Sequence, residues 1–221
     1  MPRQTRRKKP LIYAFYEGET EQAYLKFLKN RFSDVAVIKY PQKPFKTSLF
    51  EQTEDKFAKD PKYCEAAEVI DEIWLFFDVE EDKVDEDTWA EHIKIIRHLR
   101  RLKKKPGIRV RLLMTKACIE YWLLLHYEMT APPIRTPADK NRIEKRLLAY
   151  APAYVKGDET ETKKIAQQYK AAVQRGEQLL NRLLAQGLPV REDTDARSKW
   201  LYLSDKTFTT VQEAIQFLES C

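Results

Sequence analysis

Glycine is scarce in this chain, at five residues in 221. None of the five falls in a G-x-G-x-x-G or G-x-x-x-x-G-K arrangement. The glycine-rich turns that cradle a dinucleotide or a nucleoside triphosphate are therefore missing. There is no G-x-S-x-G elbow for a nucleophilic serine. Cysteine and histidine are rarer still, with three of each. Cys64, Cys118 and Cys221 are far apart, and no C-x-x-C or H-E-x-x-H occurs. That excludes the usual zinc spacings, argues against a disulfide framework and points to a reducing, cytoplasmic setting. A Cys118–His126 nucleophilic pair is conceivable, but a buried cysteine is more often inert. No apolar run reaches the ~18 residues of a membrane span. The basic start, residues 1–9, has no apolar core behind it, so no signal peptide is expected.

What the chain has in quantity is charge, unevenly placed. The net charge is +6 and the pI about 9.0, a mild pointer to polyanions. Between Asp78 and Glu91 there are eight acidic residues and one lysine, and between Arg97 and Arg111 eight Arg or Lys and no acid. An acidic metal site with a basic surface beside it would suit an enzyme that cuts phosphodiesters. The plainer reading of both blocks is a solvated loop followed by a helix with a charged face. Residues 1–9 read as a basic arm that touches phosphates or merely solubilises.

Short, unbroken apolar runs read as strands buried on both faces. Leu11–Tyr16, Val35–Tyr40, residues 72–78 and Ile108–Met114 fit this description. Helical patterns alternate with them, which indicates βαβ units and a largely parallel sheet. One helix follows Gly18, with Thr20 as its expected cap and Ala23, Tyr24, Phe27, Leu28 and Phe32 on one face. A second is expected from Ser48 to Lys59. A third spans 88–104, capped by Asp87 and stopped by cations, Pro106 and Gly107. In such sheets ligands bind beyond the carboxyl ends of the strands. Glu17 stands at one such end, Asp78 and Glu80 at another. Glu19 and Glu21 follow in the turn and first helical turn, where the helix dipole alone accounts for an acid such as Glu21. Hard cations such as Mg²⁺ take oxygen ligands of this kind.

The segment 115–128 is too apolar for a surface helix. Glu120 and His126 lie within it and need partners, either as satisfied core groups or as members of the site. From Ala131 the character changes. Helices are expected over 138–150 and 160–186, then an irregular stretch with Trp200 and Tyr202 in a short strand. A capping box of Thr210 and Glu213 should open a last helix to about Leu218.

Three stretches carry a resemblance. Tyr16-Glu17-Gly18-Glu19-Thr20-Glu21 resembles the strand-end E-G-x-T-E signature of Toprim-type nuclease domains, and Phe77-Asp78-Val79-Glu80 their D-x-D strand end. Residues 117–127, Ala-Cys-Ile-Glu-Tyr-Trp-Leu-Leu-Leu-His-Tyr, resemble a long segment of the RloB-like family, associated with restriction-linked and anti-phage loci. The basic start, the Tyr154-x-Lys156 element and the C-terminal helix fit it too. This chain has Glu80 in place of the second Asp, and Ala117 where the family usually has proline.

The resemblance implies a Toprim-like α/β core over 10–130, with a mostly parallel sheet flanked by helices and a helical extension over 131–221. It implies a nuclease dependent on Mg²⁺ or Mn²⁺, acting on RNA, with tRNA as a candidate, in anti-phage defence. Glu17, Asp78 and Glu80 would hold the metal; on the reading of the residues themselves, Glu120 and His126, pointing into the site, would join them in catalysis. Lys116, or Arg97, Arg100, Arg101 and Lys104, would hold flanking phosphates. The alternatives are a nucleic-acid-binding module without catalysis and a regulatory subunit whose acidic loop binds a protein of a defence locus. Self-association stays open.

Overall fold

The computed structural model describes residues 8–45, 48–80, 84–104 and 106–221. Most of the basic arm, and residues 81–83 of the acidic stretch, thus lie outside the described residues. Four parallel strands form the sheet: β1 (Leu11–Tyr16), β2 (Val37–Lys39), β3 (Glu72–Val79) and β4 (Arg109–Lys116), in the order β2-β1-β3-β4. Both central strands carry apolar side chains on both faces, as their unbroken runs require. Trp74 and Phe76 of β3 enter one core with Ile12, Ala14 and Tyr16 of β1, while Ile73, Leu75, Phe77 and Val79 enter the other with Tyr13 and Phe15. This is an α/β fold.

The first core is covered by α1 (Glu19–Arg31), α5 (Ile119–Leu124), α6 (Pro137–Tyr150), α7 (Glu159–Ala166) and α10 (Gln212–Ser220). The second is covered by α2 (Leu49–Lys59), α3 (Pro61–Ala66), α4 (Glu86–Arg101) and α9 (Asp195–Leu203). The long α8 (Tyr169–Leu184) serves both, through Leu179 on one side and Leu180 and Leu183 on the other. Residues 131–221 therefore complete both cores of the sheet domain. No described helix is long and apolar enough to cross a membrane.

Several local expectations are corrected. The helix expected over 160–186 is two, α7 and α8, broken at residues 167–168. Trp200 and Tyr202 lie in a helix, α9, capped by Thr194, which accepts from the Arg197 backbone N–H. The buried face of α9 is Arg197, Ser198, Leu201 and Tyr202, so half of its periodicity is polar and invisible to a hydropathy reading. Asp85, not Asp87, caps α4. Gly18 occupies the cap position of α1, and Ser48 makes no cap bond to α2.

Thr210 does not cap α10. Its hydroxyl donates to Leu112 O at 2.7 Å and accepts from Met114 N at 2.8 Å. With Lys116 N donating to Phe208 O and Thr210 N to Met114 O, residues 208–210 lie antiparallel along the outer edge of β4. That short segment covers a strand edge that would otherwise present unpaired backbone groups.

Candidate metal and phosphate site

β1 and β3 are parallel neighbours; Tyr16, the last residue of β1, pairs with Phe76, and β3 runs on to Val79. Glu17 and Asp78 therefore emerge side by side at the carboxyl edge of the sheet. The chain then turns from β1 into α1 through Gly18, against which the Glu21 carboxylate is packed where a Cβ would stand. A side chain at position 18 would displace that carboxylate, so glycine leaves Glu21 its place beside the strand ends. β4 leaves the sheet through Ala117, held at φ 71°, a left-handed conformation that non-glycine residues rarely adopt. That turn starts α5 and places Glu120 in its first turn.

The outcome is a cleft of about 480 Å³ whose walls include Glu17, Glu19, Glu21, Asp78, Glu80 and Glu120, with Lys140 and Lys156 opposite. Glu21 and Glu120 are 3% and 2% exposed. Burial and nearby like charge disfavour the ionised form of a carboxylate. Burial, then Glu120 and Glu17, push Glu21 up to about 7, a backbone hydrogen bond working the other way. Burial, then Glu21, Glu120 and Glu17, hold Asp78 well above the usual carboxylate range. Asp78 Oδ1 is buried without a hydrogen-bond partner.

Buried carboxylates elsewhere are matched. Glu72 meets Arg111 at 2.8 Å, and Glu213 meets Arg197 at 2.7 Å. The cleft has weaker cover: Lys140 donates to Glu80 Oε1 at 2.7 Å, and Lys156 stands 3.8 Å from Glu120. Burial works against the charge on Lys156, but Glu120 and Glu144 together hold it above the ordinary lysine value. Tyr154 donates to Glu120 Oε1 at 3.0 Å and lies 3.3 Å from the Thr20 hydroxyl, which also accepts from Gly157 N. Thr20 thus ties α1 to the loop that carries Lys156.

The donor set is all oxygen and rich in negative charge, with an orphaned buried oxygen at its centre. These residues fit a hard divalent cation, and Glu17, Asp78 and Glu80 are the ones at the strand ends that would hold it. Among the described residues, no three Asp, Glu, His or Cys side chains already converge on one metal position, so binding requires rotamer changes within the cleft.

Other residues fall elsewhere. His126 is fully buried in the first core, with Nδ1 on Trp122 O at 3.0 Å and Nε2 on the Tyr24 hydroxyl at 3.2 Å. Burial lowers it to about 4, and it does not line the cleft. Lys116 is buried, and its Nζ donates to Ser204 O. The basic residues of α4 do not lie beside the carboxylates. α4 starts near the carboxyl end of β3 and runs back for 16 residues, about 24 Å. Arg100 there bonds Asp195 at 2.6 Å, with Arg97 3.6 Å from the same carboxylate, and Lys103 donates to Ile70 O just before β3 begins. Arg97, Arg101 and Lys104 are exposed toward that amino edge.

Among the described residues, the cations that line the cleft, Lys140 and Lys156, come from the far part of the chain. The only sequence signal for either is the Tyr154-x-Lys156 spacing; nothing marks Lys140.

Sheet, cleft and cations together define an α/β protein with an acidic pocket at the carboxyl edge of its strands. The family model described as RloB-like protein matches residues 12–218, and the chain belongs to the RloB-like family. Comparison with the curated proteins and with the solved structures finds no match.

Proposed function

We propose that the protein is a divalent-metal-dependent nuclease that cleaves phosphodiester bonds in RNA, with tRNA a candidate substrate. The observation that carries this reading is the clustering of Glu17, Glu21, Asp78 and Glu120 at the strand ends, with Glu21 and Asp78 raised in pKa and Asp78 Oδ1 buried without a hydrogen-bond partner. A protein keeps such a cluster at a stability cost, which a bound cation repays. The E-G-x-T-E and D-x-D resemblances to Toprim-type nucleases support the same chemistry, and the RloB-like resemblance supports a role in anti-phage defence.

Bound at Glu17, Asp78 and Glu80, Mg²⁺ would neutralise charge developing on the phosphate oxygens and lower the pKa of a coordinated water. The chain supplies the rest. Lys156 and Lys140 hold non-bridging oxygens as point charges. Glu21, near 7, exchanges a proton through its carboxylate close to neutral pH, the range suited to general acid–base work. Tyr154 fixes Glu120, and its own hydroxyl, raised by burial and then by Glu120, stays protonated.

One observation favours a second reading. Glu80 is engaged by Lys140 and no ready coordination group exists among the described residues, as in a binding module without catalysis. The test is cleavage of labelled total RNA, tRNA and plasmid DNA with Mg²⁺, Mn²⁺ or EDTA. Cutting that needs metal and falls about 100-fold or more in Glu17→Gln and Asp78→Asn is expected. A folded protein that cuts nothing and binds no Mg²⁺ by calorimetry leaves the binding module.

A further inference from the structure

On the other side of Asp78 the carboxylate cleft opens into a second pocket of about 290 Å³, between α2 and α4. Its floor is shared with the cluster, through Glu17, Asp78 and Glu80, but its walls are aromatic. His92 of α4 stacks on Phe50 of α2, with ring centres 3.8 Å apart and planes 11° from parallel. Tyr202 of α9 stands 5.6 Å from His92 at 78°, itself backed by Trp89. Two ring planes therefore form a corner beside the carboxylates.

The polar groups around this corner suit a neutral, flat ligand. His92 Nδ1 is buried without a partner, which leaves Nε2 as the nitrogen able to meet a ligand. Burial lowers the pKa of His92, with Glu51 and Asp85 opposing. Glu51 adds a carboxylate acceptor to the walls, and the Thr88 hydroxyl, which donates to Asp85 Oδ2 at 2.6 Å, is left as an acceptor. Ser48, at φ 57°, makes no side-chain cap for α2 at the pocket wall. The volume lies at the lower limit for small-molecule sites, enough for one ring system and too small for a folded strand.

We propose that this pocket receives one unpaired nucleobase next to the phosphate held over Asp78, so that the substrate is a single-stranded stretch or loop of nucleic acid. The inference rests on the nuclease reading for the phosphate, but base capture is a separate property. A base in the corner stacks on one ring and presents its edge to the other. Stacking accepts any base, whereas Nε2, Thr88 and Glu51 add a preference among base edges. Inside a duplex the same base must first leave its stack, which favours loops and unpaired ends.

The test uses the full chain with Glu17→Gln, so that nothing is cut, in Mg²⁺. Binding of short RNA and DNA carrying 2-aminopurine is followed by anisotropy and by the fluorescence of the reporter base, as single strands and as duplexes. Single strands should bind roughly ten-fold or more tightly than duplexes, with the reporter signal changing on binding. His92→Ala and Tyr202→Ala should each weaken the single-strand complex about ten-fold and leave the duplex complex unchanged. His92→Leu, which keeps the volume filled, should weaken it as well. The RNA and DNA arms decide whether the ribose is also read. Equal affinity for single strand and duplex, seen without any pocket variant, overturns the proposal. So do His92 variants, folded by circular dichroism, that bind single strands as the parent does. Failure of metal-dependent cutting with single-strand capture intact would refute the nuclease reading alone.

Discussion

Replacing Glu21 by glutamine tests whether the cleft stores electrostatic strain. An ordinary glutamate near 4.5 raised to about 7 costs roughly 3 kcal/mol to ionise in place. Below pH 4.5 the carboxyl is protonated in the folded and unfolded chain alike, and it contributes no pH dependence. Between 4.5 and 7 the unfolded chain gives up its proton first, so folding stability falls as the pH rises. Above 7 the full penalty is present. Glu21→Gln keeps the shape of the side chain and removes the charge. In EDTA at pH 8 the variant should be the more stable by roughly 2–3 kcal/mol, a rise of about 5–10 °C in Tm for a chain of this size. At pH 4.5 the two proteins should melt together. Mg²⁺ should stabilise the parent and narrow the gap, because the cation offsets the repulsion that the mutation removes. Thermal melts across pH 4.5–8, with and without Mg²⁺, measure all of this. A variant that melts at or below the parent at pH 8 in EDTA, or a gap that does not change with pH, would refute the electrostatic account of the cleft.

Other outcomes follow from where side chains sit. His126→Ala should cost roughly 2–4 kcal/mol in urea unfolding, because it leaves a core cavity and an unpartnered Tyr24 hydroxyl; cleavage per folded molecule should persist, and its loss would put His126 in the chemistry. Neutralising Arg97 and Arg101 together should leave cleavage rates at moderate salt within about two-fold, since both face the opposite edge of the sheet and lie beyond a Debye length of about 8 Å from the cleft. Thr210→Val should lose roughly 1–3 kcal/mol by stripping the β4 edge of two buried hydrogen bonds, read from denaturant midpoints.

The sheet was legible because its strands are unbroken apolar runs, and Glu17 and Asp78 because strand ends in parallel sheets collect ligands. Their neighbours were harder. Lys140 and Lys156 reach the cleft through the packing of α6 and the loop after it, and no local pattern announces that. The basic block after Asp78 looked adjacent because it is adjacent in sequence, but a helix antiparallel to its strands carries its last turns to the other edge. His126 sits in an almost wholly apolar run, which gives no direction to its ring. Glu21 had an adequate explanation in the helix dipole, and only its burial against Gly18 shows a second role. The corner formed by Phe50, His92 and Tyr202 draws on α2, α4 and α9, three separate elements, and single-chain spacing cannot bring such residues together.

The segment along the outer edge of β4 has a consequence for how the chain is made. Thr115 and Thr209 meet across the edge of the sheet from 94 positions apart. At ribosomal rates of about 5–20 residues per second, roughly 5–20 seconds separate the synthesis of the two. Throughout that interval the segment that covers the outer edge of β4 has not been made. Each molecule therefore passes through a window in which β4 has no partner of its own for that edge. Crowded polysomes and slow codons after Lys116 lengthen that window, so yield should depend on translation speed over the second half of the message more than over the first.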